Sequence, residues 1–262
     1  MRTVLPEDGV TKRIFPDAEA LVEGASSYIA EQLTQAVAER GRATIALSGG
    51  NTPKRIYGRL AASPDRDRVD WPRVHVYFGD ERCVPPDHPD SNYRMARLTL
   101  LDHVPLPPGN VHRIRGEEEP ARAAELYSAE LESAFGASSA AGPRSASFDL
   151  VLLGLGEDGH TASLFPGLPA VTERSHWVVA HYVEAVKMWR ITLTPVVLNA
   201  ARNVAFIVSG AAKAAVLSKV LEGPFQPELL PSQIIRPTHG NLCWLLDAAA
   251  ASRLHDPGGN QP

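Results

Sequence analysis

A glycine-rich segment at residues 148–167, FDLVLLGLGEDGHTASLFPG, places an aspartate and a histidine two positions apart after a strongly apolar run. The apolar run predicts a buried strand, and loops at the carboxyl ends of strands are where open α/β sheets carry their chemistry. The Asp158 carboxylate can hold the His160 imidazole in one tautomer, which leaves the second ring nitrogen to take a proton from water. The pair therefore favours general base catalysis. The structural alternative, in which either residue only caps the turn at 161–165, stays open on spacing alone.

The same segment also contains the pattern GxGxxG, formed by Gly154, Gly156 and Gly159, which is typical of dinucleotide-binding loops. In those loops the third glycine opens a long helix, and an acidic residue ends the next strand about 20 positions later. Here Pro166 would end any helix within a few residues of the third glycine. The nearest suitable acidic residue, Glu173, lies before the next predicted strand and not at its end. The sequence therefore disfavours a dinucleotide cofactor.

Three further segments carry groups that bind anions. The SGGNTP loop at 48–53 joins a predicted strand to a predicted helix, so its backbone N–H groups and the helix N-terminus favour a phosphate. Arg82 follows another predicted strand, and Lys213 lies in the first turn of a predicted helix. Arg190 lies within an apolar strand, where an arginine is rarely found without a partner of opposite charge. Each feature has an ordinary alternative: a tight turn for the glycines and a solvated surface for the charges.

The composition disfavours several classes of protein. The 262-residue chain has a net charge of −4, whereas proteins that bind nucleic acids or anionic membranes need a positive surface. We find no apolar stretch of about 18 residues to span a bilayer and no secretory signal at the N-terminus. Cys83 and Cys243 match no CxxC spacing, and the nine histidines include no HExxH. We therefore expect a cytoplasmic protein with no metal, no nucleic-acid partner and no membrane association.

Strand and helix patterns alternate along the chain, which predicts an α/β fold with a mostly parallel sheet and helices on both faces. Asp17 and Gly41 bound the first predicted helix, and Ser91 begins a later one that runs to about 101. The other predicted helices cover 53–62, 121–135 and a segment after Gly210, and the predicted strands cover 43–47, 74–78, 148–153, 176–180, 188–193, 204–208 and 242–246. We expect a polar loop at 79–82, a flexible surface loop at 136–147, a single domain over 1–254 and a frayed tail at 255–262.

Together, four of these segments resemble the 6-phosphogluconolactonases of the glucosamine-6-phosphate isomerase/6-phosphogluconolactonase family. The matching runs are ALSGGNTPKRIY, YFGDERCVPPDHPDSNYRMAR, LLGLGEDGHTASLFPG and RITLTPVVLNAARNVAFIVSG followed by AAKAAVL, within roughly residues 43–222. The resemblance implies a glucosamine-6-phosphate deaminase-like (Rossmann-like) fold with no metal and no organic cofactor. It also implies hydrolysis of a phosphosugar lactone, the second step of the oxidative pentose phosphate pathway. We expect a monomer or weak homo-oligomer.

The resemblance further implies a role for each matching residue. His160 activates water and Asp158 orients it. The residues expected to bind the substrate or its phosphate are Ser48, Gly49, Gly50, Thr52, Asp80, Arg82, Asn92, Arg190 and Lys213. Two rival functions remain: a deaminase or isomerase acting on amino-sugar phosphates, and a non-catalytic sugar-phosphate-binding regulator. The deaminases of this fold carry a glutamate five residues after the histidine, where this chain has Phe165.

Overall fold

The computed structural model describes residues 2–4, 10–136 and 147–255. The strands in these ranges are β1 (Arg2–Val4), β2 (Val10–Phe15), β3 (Ala43–Leu47), β4 (Val74–Phe78), β5 (Asp80–Arg82), β6 (Leu150–Leu153), β7 (Val178–Val183), β8 (Met188–Leu193), β9 (Asn203–Val208) and β10 (Asn241–Asp247). The α-helices are α1 (Ala18–Arg40), α2 (Asn51–Leu60), α3 (Asp65–Arg68), α4 (Asn92–Thr99), α5 (Pro120–Phe135), α6 (Pro195–Leu198) and α7 (Ala214–Glu222). None of the helices in this part of the chain is long and apolar enough to cross a membrane.

A seven-stranded sheet in the order β1-β2-β10-β9-β6-β3-β4 forms the centre of the domain. All of its pairings are parallel except that of β1 with β2. Every residue of β3 and β6 is buried, as expected of strands covered on both faces, and α1 packs against β2, β3, β6 and β10. The prediction of a mostly parallel sheet with helices in one α/β domain is confirmed. Because the strands are parallel, the loops that follow β3, β4, β6 and β9 lie along one edge of the sheet.

A second, three-stranded sheet in the order β5-β8-β7 is entirely antiparallel. The chain passes into this small sheet at a single residue, Gly79: its N–H donates to Leu47 O of β3, and its carbonyl accepts from Leu193 N of β8, both at 2.9 Å. The prediction of a polar loop at 79–82 is therefore wrong, since Asp80–Arg82 form strand β5. The strands predicted at 176–180 and 188–193 correspond to β7 and β8, and both belong to this antiparallel sheet. Alternation of apolar and polar side chains along the sequence identifies a strand, but it does not show which other strand pairs with it.

Local signals at the helix ends were read correctly in two places. Asp17 accepts a hydrogen bond from Ala20 N and Gly41 adopts φ of 74° at the other end of α1, while Ser91 accepts from Arg94 N at the start of α4. Helix α2 begins at Asn51, two residues before the predicted position. Strands β1 and β2 were not predicted. Most of the loop at 136–147 and of the C-terminal tail falls outside the described residues, so the domain boundaries stay a prediction.

Candidate active site

The loop that follows β6, residues 154–165, is called the DGH loop here. Within it the His160 Nδ1 and Asp158 Oδ1 atoms lie 2.5 Å apart, and the same carboxylate oxygen accepts a hydrogen bond from the His160 backbone at 3.1 Å. Both side chains are partly exposed, 47% for Asp158 and 30% for His160. Burial raises the pKa of Asp158, but the hydrogen bonds from His160 and its charge outweigh burial and hold that pKa below its usual range. Asp158 is therefore a carboxylate near neutral pH and a suitable partner for His160 Nδ1.

Two neighbours restrict the orientation of the His160 ring, and a third contact anchors the loop that carries it. Phe165 stacks on it with ring centroids 4.2 Å apart and an angle of 25° between the planes. Gly156 faces it so closely that an added Cβ would lie 2.1 Å from Nδ1. Gly159, with φ of 84°, anchors the loop because its carbonyl accepts hydrogen bonds from the backbone and hydroxyl of Ser232, at 3.0 and 2.8 Å. The loop forms turns and one bridge between residues 161 and 164, without the long helix that a dinucleotide site requires.

The loop that follows β3, residues 48–51, is called the SGG loop here. The hydroxyl of Tyr57 accepts from Ser48 N at 3.0 Å and donates to Ser48 O at 2.9 Å, which fixes the backbone at the end of the strand. The Ser48 hydroxyl is buried and makes no hydrogen bond within the described residues. Gly50 has φ of 107° and caps α2 without a side chain, so the N–H groups of the first helical turn face outward. A buried hydroxyl beside a helix N-terminus is suited to binding a phosphate.

Asp80 and Asn92 connect the SGG loop to the DGH loop. Asn92 packs on Gly49, where an added Cβ would meet its Oδ1 at 1.9 Å, and its Nδ2 donates to the Asp80 carbonyl and carboxylate at 3.0 and 3.2 Å. The other Asp80 oxygen accepts from the Ser163 hydroxyl at 2.7 Å. Asp80 is 7% exposed and both of its oxygens are occupied by protein donors. The structure thus gives Asp80 a positioning role, and its predicted contact with substrate stays a prediction.

Replacing Asp80 by alanine is expected to lower the free energy of unfolding by about 1–3 kcal/mol, because it leaves buried donors on Asn92 and Ser163 unpaired. Urea denaturation followed by circular dichroism measures this change. Asp80→Asn retains one acceptor and should lose less. Equal stability of wild type and Asp80→Ala would contradict the positioning role.

The three predicted cations lie on different elements of the structure. Arg82 on β5 and Arg190 on β8 are register partners in the small sheet, and Arg82 Nη1 donates to Asp90 O at 2.5 Å. Burial and the neighbouring Arg82 charge lower the pKa of Arg190. Lys213 precedes α7, and its Nζ lies 3.7 Å from the Glu157 carboxylate of the DGH loop. Arg82 and Arg190 thus lie in the small sheet, which contacts the DGH loop through Asp80 and Thr192, and Lys213 lies beside Glu157 of the same loop.

Sequence reasoning missed the residues that hold the predicted ones in place. Tyr57, Ser163 and Thr192 were not singled out, although Thr192 Oγ1 accepts from Ser163 N at 3.2 Å and so attaches the DGH loop to β8. Their only sequence signal is that they lie inside the matching motifs. Burial and the Glu81 charge raise the pKa of the Cys83 thiol to about 11, which disfavours a thiolate nucleophile at this position. In the described part of the chain, no three or more His, Cys, Asp or Glu residues are grouped so that they could hold a metal ion.

The fold and the site together define an α/β protein with an Asp–His pair in the loop after one parallel strand and a glycine loop that begins a helix after another. The family model for glucosamine-6-phosphate isomerases/6-phosphogluconolactonase matches residues 16–244, so the chain belongs to this family. A Synechocystis relative named 6-phosphogluconolactonase is 43% identical over 92% of this chain and 97% of its own length. A Nostoc relative of the same name is 40% identical over 93% and 98%.

Solved structures agree with this assignment. The 6-phosphogluconolactonase from Trypanosoma cruzi superimposes with a TM-score of 0.80 at 29% identity, over 93% of this chain and 96% of that one. The enzyme from Trypanosoma brucei gives 0.79 at 30% identity, over 93% and 98%. A monomeric glucosamine-6-phosphate deaminase gives 0.74 at 21% identity, which shows the shared fold alone. The family and the fold expected from the sequence motifs are confirmed.

Proposed function

We propose that this chain hydrolyses 6-phospho-D-glucono-1,5-lactone to 6-phospho-D-gluconate, in line with two relatives named 6-phosphogluconolactonase that are 43% and 40% identical to it. One observation carries the proposal from the site itself. The Asp158–His160 pair is a preformed general base, and it lies on the same sheet edge as the SGG loop, which supplies a phosphate site. The SGG loop would thus bind the phosphate of the lactone, while the Asp158–His160 pair would act at its carbonyl carbon.

In this mechanism the SGG loop, Arg82, Arg190 and Lys213 bind the phosphate and bring the lactone carbonyl to His160. Water gives a proton to His160 Nε2 as its oxygen bonds to C1, and the carbonyl π electrons move to oxygen. The tetrahedral intermediate collapses when the bond from C1 to the ring oxygen breaks. The imidazolium returns its proton to that leaving oxygen, so His160 ends as it began. Asp158 stabilises the imidazolium formed between the two steps.

The stacked position of Phe165 disfavours the deaminase alternative. A ring-opening isomerase of this fold carries a glutamate at that position, whereas here an apolar ring lies against His160 at 4.2 Å. No carboxylate is available there to move a proton during ring opening. The remaining alternative is a regulator that binds sugar phosphates. It would bind the same ligands as the hydrolase but would not hydrolyse the lactone.

The experiment that tests the function generates the lactone in situ with glucose-6-phosphate dehydrogenase and follows its loss with and without this protein. Loss faster than spontaneous hydrolysis is the expected result. Glucosamine-6-phosphate serves as the control substrate, and ammonia release from it would overturn the assignment in favour of a deaminase. Binding of 6-phosphogluconate without accelerated lactone loss would favour the regulator. The predicted cytoplasmic location and monomeric or weakly associating state are part of the proposal, and native mass measurement tests the latter.

Asp158→Asn is expected to lower kcat by about tenfold, the effect of losing one charge-assisted hydrogen bond at a half-exposed position. The amide keeps the shape of the carboxylate but does not stabilise the imidazolium. The substitution weakens the stabilisation of the imidazolium, which forms only after the substrate has bound, so KM should change little. Steady-state kinetics at neutral pH measure both constants, and a variant with unchanged kcat would show that Asp158 does not assist His160.

A further inference from the structure

One face of the small sheet is directed toward the DGH loop. Asp80 and Thr192 are register partners on that face, and both contact Ser163 of the loop. Side chains two residues apart share a face in a strand, as do register partners on neighbouring strands. Arg82 and Arg190 therefore lie on the same face, and so does His181, the register partner of Arg190 on β7.

These three basic side chains contain buried nitrogen atoms that have no hydrogen-bond partner among the described residues. They are Nε of Arg82, Nε of Arg190 and both ring nitrogens of His181. Arg190 is only 8% exposed. Leaving a buried donor unpaired is unfavourable, so a cluster of unpaired nitrogen atoms on one face points to a bound anion.

The nearby carboxylates do not satisfy this cluster. Asp80 is occupied by Asn92 and Ser163, and the Glu81 carboxylate accepts from four donors: Arg82 N, Ser91 Oγ, Asn92 N and Tyr93 N. Burial lowers the pKa of His181; the Ser163 backbone beside the ring, which forms no hydrogen bond of good geometry with it, raises that pKa, and the Arg190 charge lowers it. At neutral pH the ring is thus mainly neutral, with one N–H to donate.

We propose that His181 is a phosphate-binding residue that acts with Arg82 and Arg190 across the three strands of the small sheet. Its ring donates a hydrogen bond to the phosphate of the substrate, beside the guanidinium groups that supply the charge. The identity of that phosphate as part of a sugar phosphate rests on the proposed function. His181 lies outside the motifs that carry the family resemblance, so no sequence motif singles it out.

The test compares wild type, His181→Ala and His181→Gln by isothermal titration with 6-phosphogluconate, inorganic phosphate and gluconate. Loss of a hydrogen bond to a charged group should weaken 6-phosphogluconate and phosphate binding by about tenfold in His181→Ala. Gluconate, which has no phosphate, should bind both proteins alike, and His181→Gln should recover part of the affinity. For the lactone, KM should rise while kcat stays within about threefold. The matched control is His176→Ala, since the His176 side chain is 72% exposed.

Unchanged phosphate and 6-phosphogluconate affinities in His181→Ala would overturn the proposal, as would an equal loss for gluconate, which indicates general disruption of the site. Failure of wild type to bind either phosphate compound would overturn it too. If wild type does not hydrolyse the lactone but its phosphate affinity depends on His181, only the proposed function fails.

Discussion

His160→Ala is expected to reduce kcat for 6-phosphogluconolactone by about 10²- to 10⁴-fold, the range that one positioned general base contributes. The variant keeps the SGG loop, Arg82 and Arg190, so its affinity for 6-phosphogluconate should stay close to that of wild type. Alanine also removes the partner of Asp158, but the pair is partly exposed and its loss should affect stability little. The expected result is a folded protein that binds product and does not turn over substrate.

The measurement follows lactone loss after in situ generation, with the spontaneous rate subtracted, because uncatalysed ring opening sets the lower limit of the assay. His176→Ala, in which an exposed histidine is removed from a loop before β7, serves as the control and should retain full activity. Turnover by His160→Ala within about threefold of wild type would show that another group activates the water.

Gly156→Ala is expected to lower kcat by about 10²-fold, the effect of displacing a reacting group by about 1 Å. The added Cβ would lie 2.1 Å from His160 Nδ1 and 2.6 Å from Asp158 Oδ1. The ring has little freedom to retreat, since Phe165 stacks on it and Asp158 holds Nδ1. The Asp–His pair must separate or rotate away from its orientation, although neither residue has been changed.

The same loop offers a matched control in Gly154→Ala, because a Cβ at Gly154 would meet nothing within 4 Å. This variant should retain wild-type kinetics. Steady-state rates for both variants and a crystal structure of Gly156→Ala measure the effect and its cause. Equal activity of the two variants would show that the orientation of His160 in this structure is not the one used in turnover.

The sequence by itself determined the features whose partners lie within a few residues. Asp158 and His160 are two positions apart, and their contact depends on the loop alone. The caps at Asp17 and Ser91 bond to amides three residues away, and β3 was bounded correctly by its apolar residues and the glycines that follow. These interactions are local, so the order of the residues along the chain is enough to specify them.

Tertiary structure alone decided the features whose partners are distant. Asp80 reaches Ser163 across 83 positions, and the small sheet pairs β5 with β8 more than 100 residues later. Side-chain alternation gives the faces of a strand but not which strand lies beside it, so the switch at Gly79 and the alignment of Arg82, Arg190 and His181 were beyond sequence reasoning. The physical reason is that pairing between distant strands depends on how the whole chain packs, while turns and caps depend on their own backbone.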